Sequence, residues 1–345
     1  MSAAIKTIEC FGTPRQMGEQ YGEAAQTEIQ QNCALFQSGW LSEEGRQQAA
    51  AIRARLQRSH PEILSELIGI ASAAAVDLEC LLLINQVRHA PATADTDGCT
   101  PMILRDTTEG AIVAKNNDAA QHEKHSFILR KCQPKDGIAF IQLTYAGWLS
   151  GLDAMNAAGL ANTHGSVGSK FAGLAQGPDI RLVAYQALKT CRNTEEFIAE
   201  LRCFQCTGKG FSIAVGDATG HTAIIDAAVP LLGVRAENKN FAFSTNLYMA
   251  EGLQDADLRL PAKRHVAQYR YGYLSWVAAE RPPRDQADIK ALLSSHEPWA
   301  PCRHGGAHKS LTNWSMIALP AKRKVLVASG PPCSNPYLEY QLEPV

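Results

Sequence analysis

The sequence predicts an α+β fold, a layered sandwich with antiparallel sheets inside and one structural domain. Three observations predict it. Helical periodicity fills the first 98 residues, short apolar runs broken by turn residues begin at Cys99, and helices return near residue 178 before further strands. No linker-like composition shift, internal repeat or low-complexity tract divides the chain. At 345 residues, with 46% hydrophobic and 19% charged, it can bury one large core.

The elements follow in order. Pro14 suits the first turn of a helix in which Ala24, Ala25, Ile29 and Cys33 share faces. A second helix is expected over 43–59, where Ala49, Ile52 and Leu56 make one apolar stripe and the arginines fall on the solvated side. Pro61 starts a third with Ile63, Leu64, Leu67 and Ile68, and Asp77 caps a fourth through Ile84. The leading 98 residues therefore read as a helical pro-segment, and the turn-rich stretch 90–97 as an accessible connector. Strands are expected at 101–104, 111–114, 126–129 and 138–143, punctuated by Glu109-Gly110 and Lys135-Asp136-Gly137. The Gly-rich stretches 147–153 and 159–165 read as loops beside a pocket. Helices at 178–189 and 194–203 precede strands at 211–215, 222–226 and 241–244. Helix over 257–280 and 285–293 and strands at 314–319 and 324–328 complete the chain.

Composition narrows the function. A formal net charge of −1 gives no electrostatic reason to expect nucleic acid or an anionic membrane as partner. No apolar run reaches the ~18 residues of a bilayer span, and the opening Met1-Ser2-Ala3-Ala4-Ile5-Lys6 has no signal-peptide core, so a soluble cytoplasmic protein is expected. The ten cysteines are dispersed and read as reduced thiols. Cys203 and Cys206 have the spacing of a zinc or redox pair, but no second pair closes a four-ligand set, so no metal and no cofactor are expected.

Cys99 carries the chemistry. If the Gly98–Cys99 bond is cut, Cys99 becomes an N-terminal residue whose thiol and α-amino group sit on one carbon, supplying nucleophile and base together. Their ordinary pKa values, ~8.5 and ~8, permit proton exchange near neutral pH. Gly98 lacks Cβ, so the sulfur can approach the preceding carbonyl for an N-to-S acyl shift. A buried cysteine opening a core strand is the plain structural alternative.

Asp97-Gly98-Cys99-Thr100, followed by a strand, a turn, a second strand and Asn116-Asn117-Asp118, resembles the nucleophile segment of the acyl-CoA:6-aminopenicillanate (isopenicillin N) acyltransferase-like family of self-processing cysteine Ntn-hydrolases. Gly12-Thr13-Pro14 with Gly18 and Gly22 resembles that family's opening, and Ser244-Thr245-Asn246 its Thr-Asn element. The resemblance implies a four-layer αββα sandwich, cleavage between Gly98 and Cys99, and a Cys99 thioester resolved by water or an amine. It implies that Asp118 steadies the new ammonium group and that Asn246 donates to the oxyanion. Thr245, His164, Tyr145 and Trp148 are expected beside the substrate, while Asn116 suits either substrate binding or holding the hairpin. The implied partners are a small-molecule amide or acyl-CoA donor and a water or amine acceptor. The chain departs from the pattern at 327–333, which lacks the arginine expected at the end of the last strand, and it ends without a peroxisomal Ser-Lys-Leu. Two other readings are an uncleaved small-molecule-binding protein of the same fold and a thiol redox or zinc protein using Cys203 and Cys206.

Overall fold

A computed structural model describes residues 5–35, 41–86, 98–120, 126–235, 239–305 and 310–344. The expected connector 90–97 lies outside them. Strand β1 (Lys6–Gly12) leads into helices α1 (Pro14–Ala24), α2 (Gln26–Leu35), α3 (Glu43–Ser59), α4 (Pro61–Ala74) and α5 (Leu78–Ile84). There follow β2 (Thr100–Leu104), β3 (Ile112–Ala119), β4 (Phe127–Pro134), β5 (Phe140–Tyr145), β6 (Ala154–Asn156) and β7 (Ala161–Ser166). Helices α6 (Ile180–Thr190) and α7 (Thr194–Cys203) precede β8 (Phe211–Gly216), β9 (Thr222–Ala228), β10 (Leu231–Arg235) and β11 (Phe241–Phe243). Last come α8 (His265–Glu280), α9 (Gln286–Leu293), β12 (Leu311–Leu319), β13 (Lys324–Ala328) and β14 (Tyr337–Gln341).

The strands form two sheets, ordered β1-β4-β5-β6-β7-β8-β9-β10 and β11-β2-β3-β12-β13-β14, in which only the β1–β4 pair is parallel among the described residues. Alternation along β3 shows how they stack. Val113 packs with Leu129, Ile141, Trp314 and Val327 between the sheets, while its neighbours Ile112 and Ala114 face Leu274 of α8 and Ile289 of α9. On the outer face of the larger sheet, Ile128 and Phe140 pack with Met17, Ile52, Leu67 and Leu81 of the leading helices. The order of layers is thus helix, sheet, sheet, helix, the αββα sandwich that the resemblance implied.

Three expectations are corrected. The leading segment is not wholly helical, because β1 pairs with β4 and extends the larger sheet. Residues 161–166 are a strand rather than a loop, since every position of β7 pairs with β8 and burial favours a paired backbone. Helix α8 begins only at His265, after 3₁₀ turns at Gln254–Ala256 and Pro261–Lys263.

The leading segment is built into the core. Thr13 and Gln16 form a capping box at the start of α1, and Gly18 lets α1 meet α4 backbone to backbone: a Cβ there would fall 2.1 Å from the Glu66 carbonyl oxygen. Gly69 answers from α4, where a Cβ would fall 2.5 Å from the Arg15 carbonyl. At the same contact, the fully buried Glu66 accepts 2.7 Å hydrogen bonds from Arg130 of β4 and Tyr185 of α6. The Arg130 guanidinium lies 4.2 Å above the Tyr21 ring. Tyr21, Asn32 and Asn85 also hold the turn after β5: Tyr21 accepts from Gly147 N–H at 2.8 Å, Asn32 donates to the Ala146 carbonyl at 2.9 Å, and Asn85 accepts from Leu149 N–H at 2.7 Å.

Candidate active site

Cys99 sits one residue before β2, whose register sets Thr100 opposite Asn116. That pairing brings the Cys99 Sγ to 3.4 Å from Asn117 Oδ1. The thiol is buried, and burial raises its pKa; Lys115 and the Asp118 backbone N–H oppose the shift while the Asp118 and Asp153 carboxylates add to it.

The carbonyl before Cys99 is also held. Gly98 O accepts a hydrogen bond from Arg270 Nη1, and Arg270 Nη2 donates at 2.7 Å to Asn246 Oδ1. Asn246 Nδ2 in turn donates to the Ser166 carbonyl at 2.6 Å. Gly98 is required by this contact, since a Cβ would lie 2.3 Å from Asn246 Nδ2. Behind Asn246, its carbonyl accepts from Arg259, which is paired with Asp257 at 2.7 Å.

Asp118 completes the group. Its Oδ1 accepts from Thr312 Oγ1 at 2.7 Å, while Oδ2 has no hydrogen-bond donor among the described residues and lies 3.9 Å from Arg270 Nη1. Burial pushes the Asp118 carboxyl up to about 6, with Arg270, Thr312 and Arg303 pulling the other way. A carboxylate so placed can gain or lose a proton near neutral pH.

A second polar chain runs from β3 into the larger sheet. Lys115 Nζ lies 2.7 Å from Asp153 Oδ2, and His164 Nδ1 lies 3.0 Å from the same oxygen without hydrogen-bond alignment. Asp153 holds a left-handed φ of 64°, a strained conformation for a residue with a side chain. Burial lowers the His164 pKa despite Asp153, while His164 and Lys115 together outweigh burial and lower that of Asp153.

The expected residues thus divide. Gly98, Cys99, Asp118 and Asn246 converge, and His164 joins through Asp153 and Lys115. Asn116 Nδ2 donates to the Leu293 and Pro301 carbonyls at 2.8 and 3.2 Å, tying β3 to the end of α9 and the segment after it. Thr245 Oγ1 likewise donates to the Ala267 carbonyl of α8 at 3.1 Å. Tyr145 and Trp148 stand 4.9 Å apart, Tyr145 against Phe127 and Trp148 over Arg181. Through Phe127 and Trp314 this aromatic row reaches Lys115, whose ammonium lies 4.9 Å over the Trp314 ring.

Arg270, Asp153, Lys115 and Arg303 were not anticipated. The periodicity of α8 held a signal: Ala267, Arg270, Leu274 and Val277 form its buried stripe, and an arginine in such a stripe needs a partner. Arg303 is buried as well, with Nε and Nη2 lacking hydrogen-bond partners among the described residues. Cys203 is exposed and Cys206 buried, its thiol pushed up to about 12 by burial; no third ligand joins them among the described residues. Two surface clefts, one lined by Ile198, Arg202 and Cys203 and the other by Tyr273, Arg281 and Leu292, contain none of the converging groups. No described helix is long and apolar enough to cross a membrane.

Comparison with models of known protein families finds no match. The chain is similar to the acyl-coenzyme A:6-aminopenicillanic-acid-acyltransferase 40 kDa form of Emericella nidulans, at 27% identity over 164 residues, 45% of either chain. It thus spans less than half the length of that curated relative. Among solved structures it is similar to a conjugated bile acid hydrolase from Clostridium perfringens, with 12% identity, TM-score 0.42, and 71% of this chain and 97% of that one covered. It is also similar to a Caenorhabditis elegans N-acylethanolamine-hydrolyzing acid amidase ortholog (13%, 0.43, 65% and 93%) and a penicillin V acylase from Agrobacterium tumefaciens (14%, 0.40, 67% and 83%).

Proposed function

We propose that the chain is a self-processing cysteine N-terminal-nucleophile enzyme that hydrolyses or transfers an amide- or thioester-bound acyl group of a small molecule through a Cys99 thioester. The observation that carries this reading is the Arg270 hydrogen bond on the Gly98 carbonyl, directly beside the Cys99 thiol. In the processing step the Cys99 sulfur attacks the Gly98 carbonyl carbon while negative charge develops on the oxygen that Arg270 holds. The C–N bond breaks, the thiol proton passes to the departing α-nitrogen, and water cleaves the resulting thioester. The products are a Gly98 carboxylate and a free Cys99 with thiol and amine, giving pieces 1–98 and 99–345.

The same groups serve turnover. A substrate carbonyl takes the place of the Gly98 carbonyl, with Arg270 and Asn246 facing its oxygen. Asp118 Oδ2, which lacks a donor among the described residues, receives the new ammonium group. The Tyr145–Trp148 row offers apolar surface to an acyl chain. Cys99 then passes the acyl group to water or an amine.

Mass spectrometry under denaturing conditions tests the reading. The 37.4 kDa chain is expected as fragments of about 11 and 27 kDa. After incubation with mixed acyl-CoA thioesters and acylated amines, an acyl adduct is expected on the fragment beginning at Cys99. A single intact species that takes up no acyl group would point instead to a non-catalytic binding protein. Asn246→Ala is expected to split normally yet lose about 10²-fold or more in kcat, as removal of an oxyanion donor does. Unchanged turnover in that variant would take Asn246 out of the site.

A further inference from the structure

Four side chains from three separated segments converge: His296 after α9, Cys302 and His304 before β12, and Cys333 between β13 and β14. Their ligand atoms all lie within 4.8 Å of one another. Cys302 Sγ is 3.7 Å from Cys333 Sγ and 3.6 Å from His304 Nε2; His304 Nε2 is 3.2 Å from Cys333 Sγ and 3.0 Å from His296 Nε2. We propose that these residues form a structural zinc site of the Cys₂His₂ type.

The separations carry the assignment. With Zn–S near 2.3 Å and Zn–N near 2.0–2.1 Å, a tetrahedron has edges of about 3.8 Å between sulfurs, 3.5 Å between sulfur and nitrogen, and 3.3 Å between nitrogens. The four measured edges lie close to these lengths. A disulfide fits less well, because the sulfurs stand well beyond the ~2.05 Å of an S–S bond. Soft thiolates with imidazoles select zinc over magnesium or calcium, and four protein ligands leave no open position for a substrate. Loading displaces two thiol protons, so two thiolates and two neutral imidazoles balance the dication.

The site has a position that matters. Cys302 precedes Arg303, whose backbone N–H donates to Thr312 Oγ1 at 2.9 Å, and the same hydroxyl donates to Asp118 at 2.7 Å. The Pro301 carbonyl receives the Asn116 side chain. The metal pins the loop that carries Arg303 against Asp118, tying it to the β13–β14 connection. This inference does not depend on cleavage at Cys99.

The test uses untagged full-length protein, incubated with zinc sulfate, gel-filtered and assayed by inductively coupled plasma mass spectrometry. About one equivalent of zinc per chain is expected in the wild type and in Cys203→Ser, and about tenfold less in Cys302→Ser and Cys333→Ser. Cobalt(II) in place of zinc should give thiolate charge-transfer and tetrahedral ligand-field absorption, a readout that needs no variant to fold. Wild-type zinc no higher than in the Cys302→Ser protein, or a cobalt spectrum without thiolate bands, overturns the assignment.

Discussion

Replacing Cys99 by alanine is expected to leave one folded chain of 37.4 kDa that never splits and turns over nothing measurable, a loss of about 10⁴-fold or more. The size of the effect follows from chemistry rather than packing. In the proposed mechanism Cys99 is the attacking atom in both processing and turnover, and its α-nitrogen is the base that processing liberates. Nothing else in the group can take over: Asn117 and Asn246 are poor nucleophiles, and Asp118 is held by Thr312. The lost sulfur leaves only a small gap beside Asn117, so circular dichroism and thermal unfolding should match the wild type. Serine at the same position keeps the shape but offers a hydroxyl that is scarcely ionised at neutral pH, so it should split slowly where alanine does not split at all. Fragmentation of the alanine variant at the same bond would refute the mechanism.

Glu66→Ala is expected to cost about 3–5 kcal/mol of stability, because it strands the Arg130 guanidinium in the core with its ionic partner gone. Arg130 has no exposed surface, and the same change removes the acceptor of the Tyr185 hydroxyl. The measurement belongs in the Cys99→Ala background, where one chain unfolds and the denaturant midpoint and slope can be compared with and without Glu66. A loss under about 1 kcal/mol would mean that water reaches the guanidinium as soon as the carboxylate is removed.

Periodicity located most of the architecture. The stripe Ala49, Ile52 and Leu56 in α3, the Pro61 start of α4 and the apolar runs of β2 to β5 were legible because local pattern and tertiary role agree there. β1 escaped because Lys6–Gly12 has only two buried hydrophobic residues, Ile8 and Cys10, and its partner β4 lies more than a hundred residues away. β7 escaped because Asn162 and Gly165 are poor strand formers in isolation; burial between neighbouring strands overrides that preference. At the site, Gly98, Cys99, Asp118 and Asn246 could be named because each stands in a short ordered motif. Arg270, Asp153 and Arg303 could not, since each reaches the others from a remote element through a contact that leaves no local trace. The same holds for Cys302 and Cys333, thirty-one positions apart yet 3.7 Å from sulfur to sulfur.

The grip of Tyr21, Asn32 and Asn85 on the turn after β5 has a consequence for any nicked form of the protein. Severing the backbone after residue 98 would turn what was one molecule's interior into the seam of a heterodimer. The shorter piece would persist as a subunit instead of diffusing off as a spent leader. Only conditions that dissolve the core itself would reveal two polypeptides where gentler handling finds a single particle.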